Sequence, residues 1–400
     1  MPRSRRDIVA LAMAIALLPT AARAHDPDVA GGLFRSRDAG ANWLAISPGI
    51  FVSGALALAI SPQEPNHLLL GTDSGVWRSR NGGRDWEIEA PNILTGPAFA
   101  AAFDADGGRA LVAGASTLFR DDGDRWRSVP TPAGAAPARA LVAASVPGRV
   151  YLAGRSGLYR SDDWGRSWVS VGDALPARHV DLVMVPPGRP DDVYALAGGA
   201  VWSSSDGART WKPRSEALAD SGIEAVGIDP SNPALLWAVR AGQVMRSDRP
   251  GERWRPVGKA IPEGPATARA IAVLGDVFVI ATDRGVFRSS DGGERWEPPK
   301  ESLPAHLRAE VLVRDPRSPA TFYSGFALAA YEDLQQRAPP VGSTSARLGW
   351  GSMAGGFALI VLFALGAIAG VRHVVRSRRR ARPERGAERV ENRTISQVNG

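Results

Sequence analysis

The 400-residue chain contains no cysteine. That absence excludes disulfide bonds, cysteine-ligated zinc and thiol catalysis together, so core burial must stabilise the folded region unaided. Histidine is also sparse, and the five histidines show neither an HxH nor an HExxH spacing. The sequence further lacks a glycine-rich phosphate loop and a nucleotide-binding fingerprint. We therefore predict no metal site and no cofactor.

A basic folded region is absent too, although the formal net charge is +7. Residues 1–24 carry a net charge of +3 and residues 372–400 a net charge of +6, which leaves about −2 for residues 25–371. Proteins that bind nucleic acid concentrate basic charge on the folded domain. The charge distribution therefore argues against a nucleic-acid partner.

Residues 1–24 have the three parts of a secretory signal peptide. Arg3, Arg5 and Arg6 precede the apolar run 8–18, and Ala22-Arg23-Ala24 forms a cleavage site of the small-x-small type. The apolar run is too short to span a bilayer comfortably. Cleavage would leave His25 at the N-terminus, where its imidazole and amine could chelate copper, although a processed terminus without a role is the simpler expectation.

Residues 348–371 form an uncharged stretch of 24 residues, which is long enough to cross a hydrocarbon core of roughly 30 Å as a helix. The arginine-rich tail 372–400 follows directly, and the positive-inside rule places it in the cytoplasm. A buried core helix is the alternative. We predict an exported domain over 25–331, a linker over 332–347 and a single C-terminal anchor, with the domain on the periplasmic or extracellular side of the cytoplasmic membrane.

The middle of the chain is a repeat. Its clearest copy reads VFRSSDGGERW and ends at Trp296. Seven tryptophans mark the copies, at separations of 43, 40, 42, 43, 43 and 42 residues: Trp43, Trp86, Trp126, Trp168, Trp211, Trp254 and Trp296. A fixed period of 40–45 residues is typical of repeat architectures such as propellers.

The repeated motif S-x-D-x-G-x-x-W has the chemistry of a hairpin turn. Aspartate bonds nearby backbone N–H groups, glycine accepts a positive φ, and tryptophan lays an apolar face beneath the turn. Other copies are degraded: Ala208 replaces glycine, Arg249 replaces aspartate, and the copy ending at Trp126 is two residues short. The four best copies comprise Ser36, Asp38, Gly40 and Trp43; Ser79, Asn81, Gly83 and Trp86; Ser161, Asp163, Gly165 and Trp168; and Ser289, Asp291, Gly293 and Trp296.

Each repeat also contains four short strand patterns, which is typical of a propeller blade. The first motif copy, 32–43, has no inner strands before it, whereas the last unit, 309–326, has two inner strands and no motif after it. These halves are complementary. We therefore predict an all-β, seven-bladed propeller that is closed by N- and C-terminal half-blades.

The motif resembles the Asp-box, or bacterial neuraminidase repeat, in which the same string forms a structural turn between the outer strands of a blade. The plan over about residues 30–330 looks most like the photosystem II stability/assembly factor-like family. That resemblance implies an exported, non-enzymatic propeller that binds membrane-protein intermediates through a basic patch. The C-terminal anchor departs from this family and argues against a photosynthetic role.

The Asp-box resemblance also raises an enzymatic alternative. A sialidase needs a tyrosine nucleophile, but four of the five tyrosines occupy repeat positions, Tyr331 lies at the domain end, and the Arg-Ile-Pro element is missing. Glycosidases that use two carboxylates are harder to exclude; Glu224, Asp181 and Asp73 are the candidates. A carbohydrate-active enzyme or a glycan-binding lectin therefore stays as the alternative function.

Four arginines at a similar distance before the turn prolines are candidate binding residues. Arg139, Arg178 and Arg308 each stand eight residues before a turn proline, and Arg269 falls within a residue of that register. Loops predicted at the same face add Arg155, Arg240 and Arg284. We expect these seven arginines to surround the mouth of a central channel, opposite the Asp-boxes, and to bind a protein partner or an acidic ligand.

Overall fold

The computed structural model describes residues 31–336 except 48–52, 124, 216–221, 230–231, 249–252, 263–265, 299, 305–306, 329–332 and 335. The signal segment, His25, most of the linker, the anchor segment and the tail lie outside the described residues. Within the described part, 27 strands form seven antiparallel sheets in a seven-bladed β-propeller. The predicted all-β propeller class is confirmed.

Blades 1 to 6 follow each other in chain order, from the innermost strand outward. Blade 1 contains β3 (Ala55–Ile60), β4 (Leu68–Thr72), β5 (Val76–Ser79) and β6 (Glu87–Ile88). Blade 2 contains β7 (Ala98–Phe103), β8 (Ala110–Gly114), β9 (Leu118–Asp121) and β10 (Trp126–Val129). Blade 3 contains β11 (Ala138–Ala143), β12 (Val150–Gly154), β13 (Gly157–Ser161) and β14 (Val169–Ser170).

The next three blades repeat this plan. Blade 4 contains β15 (Val180–Met184), β16 (Val193–Ala197), β17 (Ala200–Ser204) and β18 (Lys212–Pro213). Blade 5 contains β19 (Ile223–Asp229), β20 (Asn232–Arg240), β21 (Gln243–Ser247) and β22 (Trp254–Val257). Blade 6 contains β23 (Ala268–Leu274), β24 (Val277–Thr282) and β25 (Gly285–Ser289), with one outer bridge between Arg288 and Glu297.

The seventh sheet combines the two ends of the described chain. Its strands are β26 (Arg308–Arg314), β27 (Phe322–Ala327), β1 (Gly32–Ser36) and β2 (Leu44–Ala45). β27 pairs with β1 in antiparallel register from Gly32↔Phe326 to Ser36↔Phe322. Residues almost 300 positions apart in sequence therefore share one hydrogen-bonded sheet.

The core lies between neighbouring sheets. The second strand of a blade is covered on both faces, and β4, β12 and β16 are buried along their whole length. Small residues permit this close packing: a Cβ added at Gly71 in blade 1 would stand 2.6 Å from the carbonyl oxygen of Ala98 in blade 2. Alanine-rich inner strands such as β3 and β7 follow from the same constraint, since seven of them converge on one centre.

None of the helices in the described residues is both long and apolar enough to cross a bilayer. The predicted transmembrane segment 348–371 lies outside the described residues, so the anchor stays a prediction.

Candidate functional site

The two ends of each sheet carry different kinds of turn. The start of an inner strand pairs with the end of the second strand, as Ala138 does with Gly154, and the turn to the third strand follows there. The third strand then runs to the opposite end, where the motif turn begins. We call the end at which the inner strands start the channel face.

Five motif copies form one local structure, which we call the box turns: 36–43, 79–86, 161–168, 204–211 and 289–296. In all five, the serine Oγ accepts the N–H four residues later at 2.8 Å. The same Oγ donates to the aspartate or asparagine two residues later. Although burial opposes ionisation, hydrogen bonds from the Ser167 hydroxyl and N–H lower the pKa of Asp163 to about 2.

The fifth motif position adopts a positive φ in every box turn, which explains its glycine. Blade 4 has Ala208 there at φ 67° and keeps the same hydrogen bonds. The preceding position also has a positive φ, and in blade 3 it is occupied by Trp164 at φ 57°. Because Trp164 is almost fully buried between blades 2 and 3, packing supports this uncommon conformation.

Three of the five box tryptophans donate to the preceding blade. The indole N–H of Trp86 donates to the carbonyl of Ile46 at 2.6 Å, Trp211 donates to Val171 at 2.7 Å, and Trp296 donates to Lys259 at 2.9 Å. Trp43 instead donates to Gly40 within its own turn. An arginine makes a contact in the opposite direction, since Arg160 in blade 3 donates to the Gly207 carbonyl in the box turn of blade 4 at 2.6 Å. Several box turns therefore link one blade to the next.

Blade 2, whose motif copy is short, has a different link to blade 1. Trp126 lies in β10 and donates to Glu89 of blade 1 at 2.6 Å. Arg78 contacts Glu89 at 2.6 Å, Asp121 of blade 2 at 2.9 Å and the His67 imidazole at 2.6 Å. A buried ionic cluster thus joins the two blades.

The pKa of His67 in that cluster is strongly lowered. The His67 ring packs on Phe103 of blade 2, with centroids 4.7 Å apart. Burial and, secondly, the nearby charge of Arg78 lower the pKa of His67 from 6.5 to about 4. The imidazole is therefore neutral at pH 7 and accommodates the arginine beside it.

At the channel face, all seven inner strands carry a β-bulge at the same place. In each strand the register slips by one residue near its start, as between Ala138 and Ala140 of β11. The extra residue of a bulge opposes no partner of its own and is a common means of re-aiming a side chain. The seven bulge residues, here called the bulge ring, are Leu56, Phe99, Arg139, Asp181, Glu224, Arg269 and Glu310.

The bulge ring divides into two arcs of different chemistry. Leu56 and Phe99 of blades 1 and 2 form a buried apolar cluster with Ala327, and Ala115 and Leu334 pack against it. The five ring residues of blades 3 to 7 are all charged. One repeated backbone position therefore gives an apolar arc and a charged arc.

The ring residues line two adjoining cavities at the propeller centre, of about 290 and 320 Å³. Both cavities are lined by Arg139, Asp181 and Arg269; Glu310 lines the first and Glu224 the second. Charged groups from blades 3 to 7 thus meet in one small volume. This throat is the candidate functional site.

The throat charges are partly compensated. Arg269 donates to Glu310 at 3.0 Å, and only 3% of the Glu310 side chain is exposed. Glu224 accepts the backbone N–H groups of Ala241 and Ala268 at 3.1 and 2.8 Å. Those bonds fix the Glu224 carboxylate to the backbone.

Asp181 makes looser contacts. Its Oδ1 lies 3.8 Å from Nη1 of Arg139 and 3.1 Å from Nε2 of His179. Its side chain is 37% exposed. Asp181 is therefore far more accessible than Glu310, whose side chain is 3% exposed.

The predicted arginines occupy two tiers of the channel face. Arg139 and Arg269 are bulge residues that line the cavities. Arg178 and Arg308 stand three and two residues before the bulge positions of their blades, and Arg178 is exposed. The others lie at second-to-third-strand turns of this face, where Arg155 and Arg284 are exposed and Arg240 is half-buried.

The third candidate carboxylate is displaced from the throat: Asp73 accepts a hydrogen bond from Ser53 in blade 1. The described tyrosines are structural. Tyr151, Tyr194 and Tyr323 are buried, and burial raises the pKa of each phenol. Tyr159 donates to the Ala133 carbonyl at 2.6 Å. Among the described residues, no group of three or more acidic or histidine side chains could hold a metal.

No known protein-family profile and no curated protein sequence matches the chain. Solved structures match it in fold. YCF48 from Cyanidioschyzon merolae superposes with a TM-score of 0.53 at 16% identity, over 70% of this chain and 97% of that one. YCF48 bound to a D1 peptide gives 0.52 at 17% identity, over 70% and 95% of the two chains.

An enzyme shares the fold as well. The GH74 xyloglucanase from Xanthomonas campestris superposes with a TM-score of 0.55 at 22% identity, over 72% of this chain but 53% of the enzyme. This chain is therefore similar in fold both to YCF48, which has been solved with a bound D1 peptide, and to part of a GH74 xyloglucanase. Because one fold carries different functions, the function must be argued from this chain's own residues.

Proposed function

We propose that the chain is a membrane-anchored, exported propeller that binds protein segments at its channel face as an assembly or stability factor and catalyses no reaction. The observation that supports this most is the channel face, on which Arg155, Arg178 and Arg284 are exposed while two of the three throat carboxylates are held in structural contacts. The YCF48–D1 peptide complex, a propeller of the same fold with a peptide partner, supports a protein ligand.

The alternative is a carbohydrate-active enzyme or lectin, which is supported by the similar fold of the xyloglucanase and by the acidic residues of the throat. A two-carboxylate mechanism needs one free nucleophile or base and one acid. Glu224 is poorly suited to either role because both its oxygens accept backbone N–H groups. We therefore favour the binding function; xyloglucan hydrolysis by the wild type that is lost on Asp181→Asn would reverse this preference.

We further propose that the five box turns are Asp-boxes with a structural role, and that the pairing of β27 with β1 closes the propeller through two half-blades. The serine and tryptophan hydrogen bonds of the box turns support the first proposal, and the register of the seventh sheet supports the second. Both roles leave the channel face as the surface on which function can vary.

The binding experiment compares two sets of four arginines in the full-length chain, purified in detergent. Arg139, Arg178, Arg269 and Arg308 are replaced together by alanine in one variant. The control replaces four exposed arginines of the box turns, Arg37, Arg84, Arg166 and Arg295, so that the net charge is equal. Partners cross-linked in solubilised membranes are then quantified.

We expect the channel-face variant to lose partner capture and the control variant to keep it, because an arginine fork binds carboxylates with directional hydrogen bonds. Equal capture by both variants at low salt would reject the channel face as the binding surface. Measuring at two salt concentrations separates steering, which salt screens, from direct contact.

Localisation is tested by a reporter that is active only in the cytoplasm. Fused after Gly400 it should be active, and fused after Gln336 with the anchor segment deleted it should be inactive. The opposite pattern would reject the signal and anchor proposals together.

A further inference from the structure

Among the three throat carboxylates, only Asp181 can leave its position cheaply. Moving Glu224 would break two hydrogen bonds to backbone N–H groups. Moving Glu310 would remove the carboxylate that Arg269 contacts at a largely buried site, which is costly. Asp181 is half-exposed, its ion pair with Arg139 is long, and its 3.1 Å contact is with the exposed side chain of His179, so that contact contributes little stability.

The Arg139–Asp181 distance of 3.8 Å exceeds hydrogen-bond range, so this pair is held by Coulomb attraction rather than by a directional bond. A free carboxylate can form two parallel bonds of about 2.7–2.9 Å with one guanidinium. An incoming ligand can therefore make a better contact with Arg139 than Asp181 makes.

The rest of the channel mouth determines where a ligand enters. On blades 1 and 2 the apolar arc is already covered, since Leu334 and Ala115 pack against Leu56 and Phe99. The charged arc of blades 3 to 7 lines the cavities beside it. A ligand must therefore approach off-centre, over Arg139 and Asp181.

We propose that Asp181 is a resident substitute for the ligand: it lies beside Arg139 in the unbound propeller and is displaced from there by a glutamate or aspartate side chain of a protein segment. The neighbouring Glu224 and Glu310 stay in place and repel anions, which disfavours a doubly charged phosphate more than a singly charged carboxylate. This inference rests on the proposed binding function and adds the chemical group that is recognised.

The test measures peptide affinity of the full-length chain in detergent by fluorescence anisotropy. The probe is a labelled peptide of alternating glutamate and alanine with blocked ends, and the matching glutamine peptide is the reference. Asp181→Asn removes the resident competitor but keeps the side-chain size. Glu310→Gln is the matched control, because it neutralises a throat carboxylate that we expect to stay in place.

We expect Asp181→Asn to bind the glutamate peptide about fivefold more tightly, which corresponds to loss of a competing surface ion pair of about 1 kcal/mol. Arg139→Ala should weaken binding at least about fivefold, and Arg139→Lys should give an intermediate affinity because it keeps the charge without the fork. Glu310→Gln also removes a charge that repels anions, so it should tighten binding, but by less than Asp181→Asn, because the Glu310 carboxylate does not compete for Arg139. Melting temperatures identify any variant that is unfolded, and Asp181→Asn, at an exposed site, decides the outcome if Arg139→Ala fails to fold.

Several outcomes would overturn the inference: unchanged or weaker binding by Asp181→Asn, equal affinity for the glutamate and glutamine peptides, equal tightening by Glu310→Gln, or stronger competition by inorganic phosphate than by acetate. A failure of this kind in a protein whose four-arginine variant still loses its partner rejects only the role of Asp181. Retained capture by the four-arginine variant rejects the binding surface itself.

Discussion

The box turns and the bulge ring are both built by repetition, but they repeat different things. In the box turns the side chains recur, and the serine and the residue two positions later make the same local bonds in five blades. In the bulge ring only the backbone recurs, while the residue changes from leucine to arginine to glutamate. Constant chemistry fits a structural role that these five blades share, whereas varied chemistry on a constant backbone fits recognition.

The largest expected effect on stability is at Trp164, which belongs to a box turn and also fills the core between blades 2 and 3. Trp164→Ala should lower the free energy of unfolding by about 3–5 kcal/mol, since a large buried side chain is removed. Chemical denaturation measures this loss. At temperatures where the variant is folded, its affinity for the acidic peptide should equal that of wild type; a changed affinity would couple the two regions.

Blade 2 sharpens the comparison because an ionic cluster replaces its box turn. His67 has a folded pKa of about 4 against 6.5 unfolded, so the unfolded chain binds more protons between these values. Stability should therefore fall as pH decreases from 6.5 to 4, by up to about 3 kcal/mol. Melting temperatures across this range should decline less in His67→Gln than in wild type.

If His67→Gln shows the full wild-type decline, another group carries the acid sensitivity.

A single box-turn bond gives a smaller effect. Ser204→Ala removes the acceptor of the buried Ala208 N–H and should cost about 1–3 kcal/mol. The adjacent Ser205 is exposed, and its replacement by alanine should change stability by no more than about 0.5 kcal/mol. Equal melting temperatures for the two variants would contradict a structural role for the motif serine.

The smallest expected effect on stability is at the ring. Asp181→Asn should change the free energy of unfolding by about 0.5 kcal/mol or less, because its ion pair is long and half-exposed. Urea denaturation would measure it. A loss above about 2 kcal/mol would mean that Asp181 is a structural residue and that ring and box turns do not differ in duty.

The propeller fold could be predicted from sequence because its signal is local and periodic. Each box turn needs a serine, an acidic or amide group and a residue with positive φ at fixed spacing, and seven tryptophans keep that spacing in register. Repetition makes each weak turn signal reinforce the others. Even Ala208 kept the turn conformation that its motif implied.

The throat was only partly predictable. Counting back eight residues from the turn prolines identified the ring residue Arg139. In the other two blades the same count gave Arg178 and Arg308, which stand three and two residues before the ring residues Asp181 and Glu310. The bulge adds one residue to every inner strand, but the distance from the bulge residue to the turn proline differs between blades, so a count back from the proline drifts. Counting from the strand starts, where Ala138 and Ala309 both lie immediately before a bulge residue, would have aligned Arg139 with Glu310.

The bulge has a consequence for redesign. A residue that stands outside the pairing ladder can be exchanged without shifting its neighbours by one position. The seven ring positions therefore share one backbone conformation and differ in side chain, which in chain order is Leu, Phe, Arg, Asp, Glu, Arg and Glu. A combinatorial library at the less buried ring positions Arg139 and Asp181 would sample new specificities without removing the buried side chains of Leu56, Phe99 and Glu310. Because the chain has no cysteine, each selected variant can be labelled at one introduced thiol.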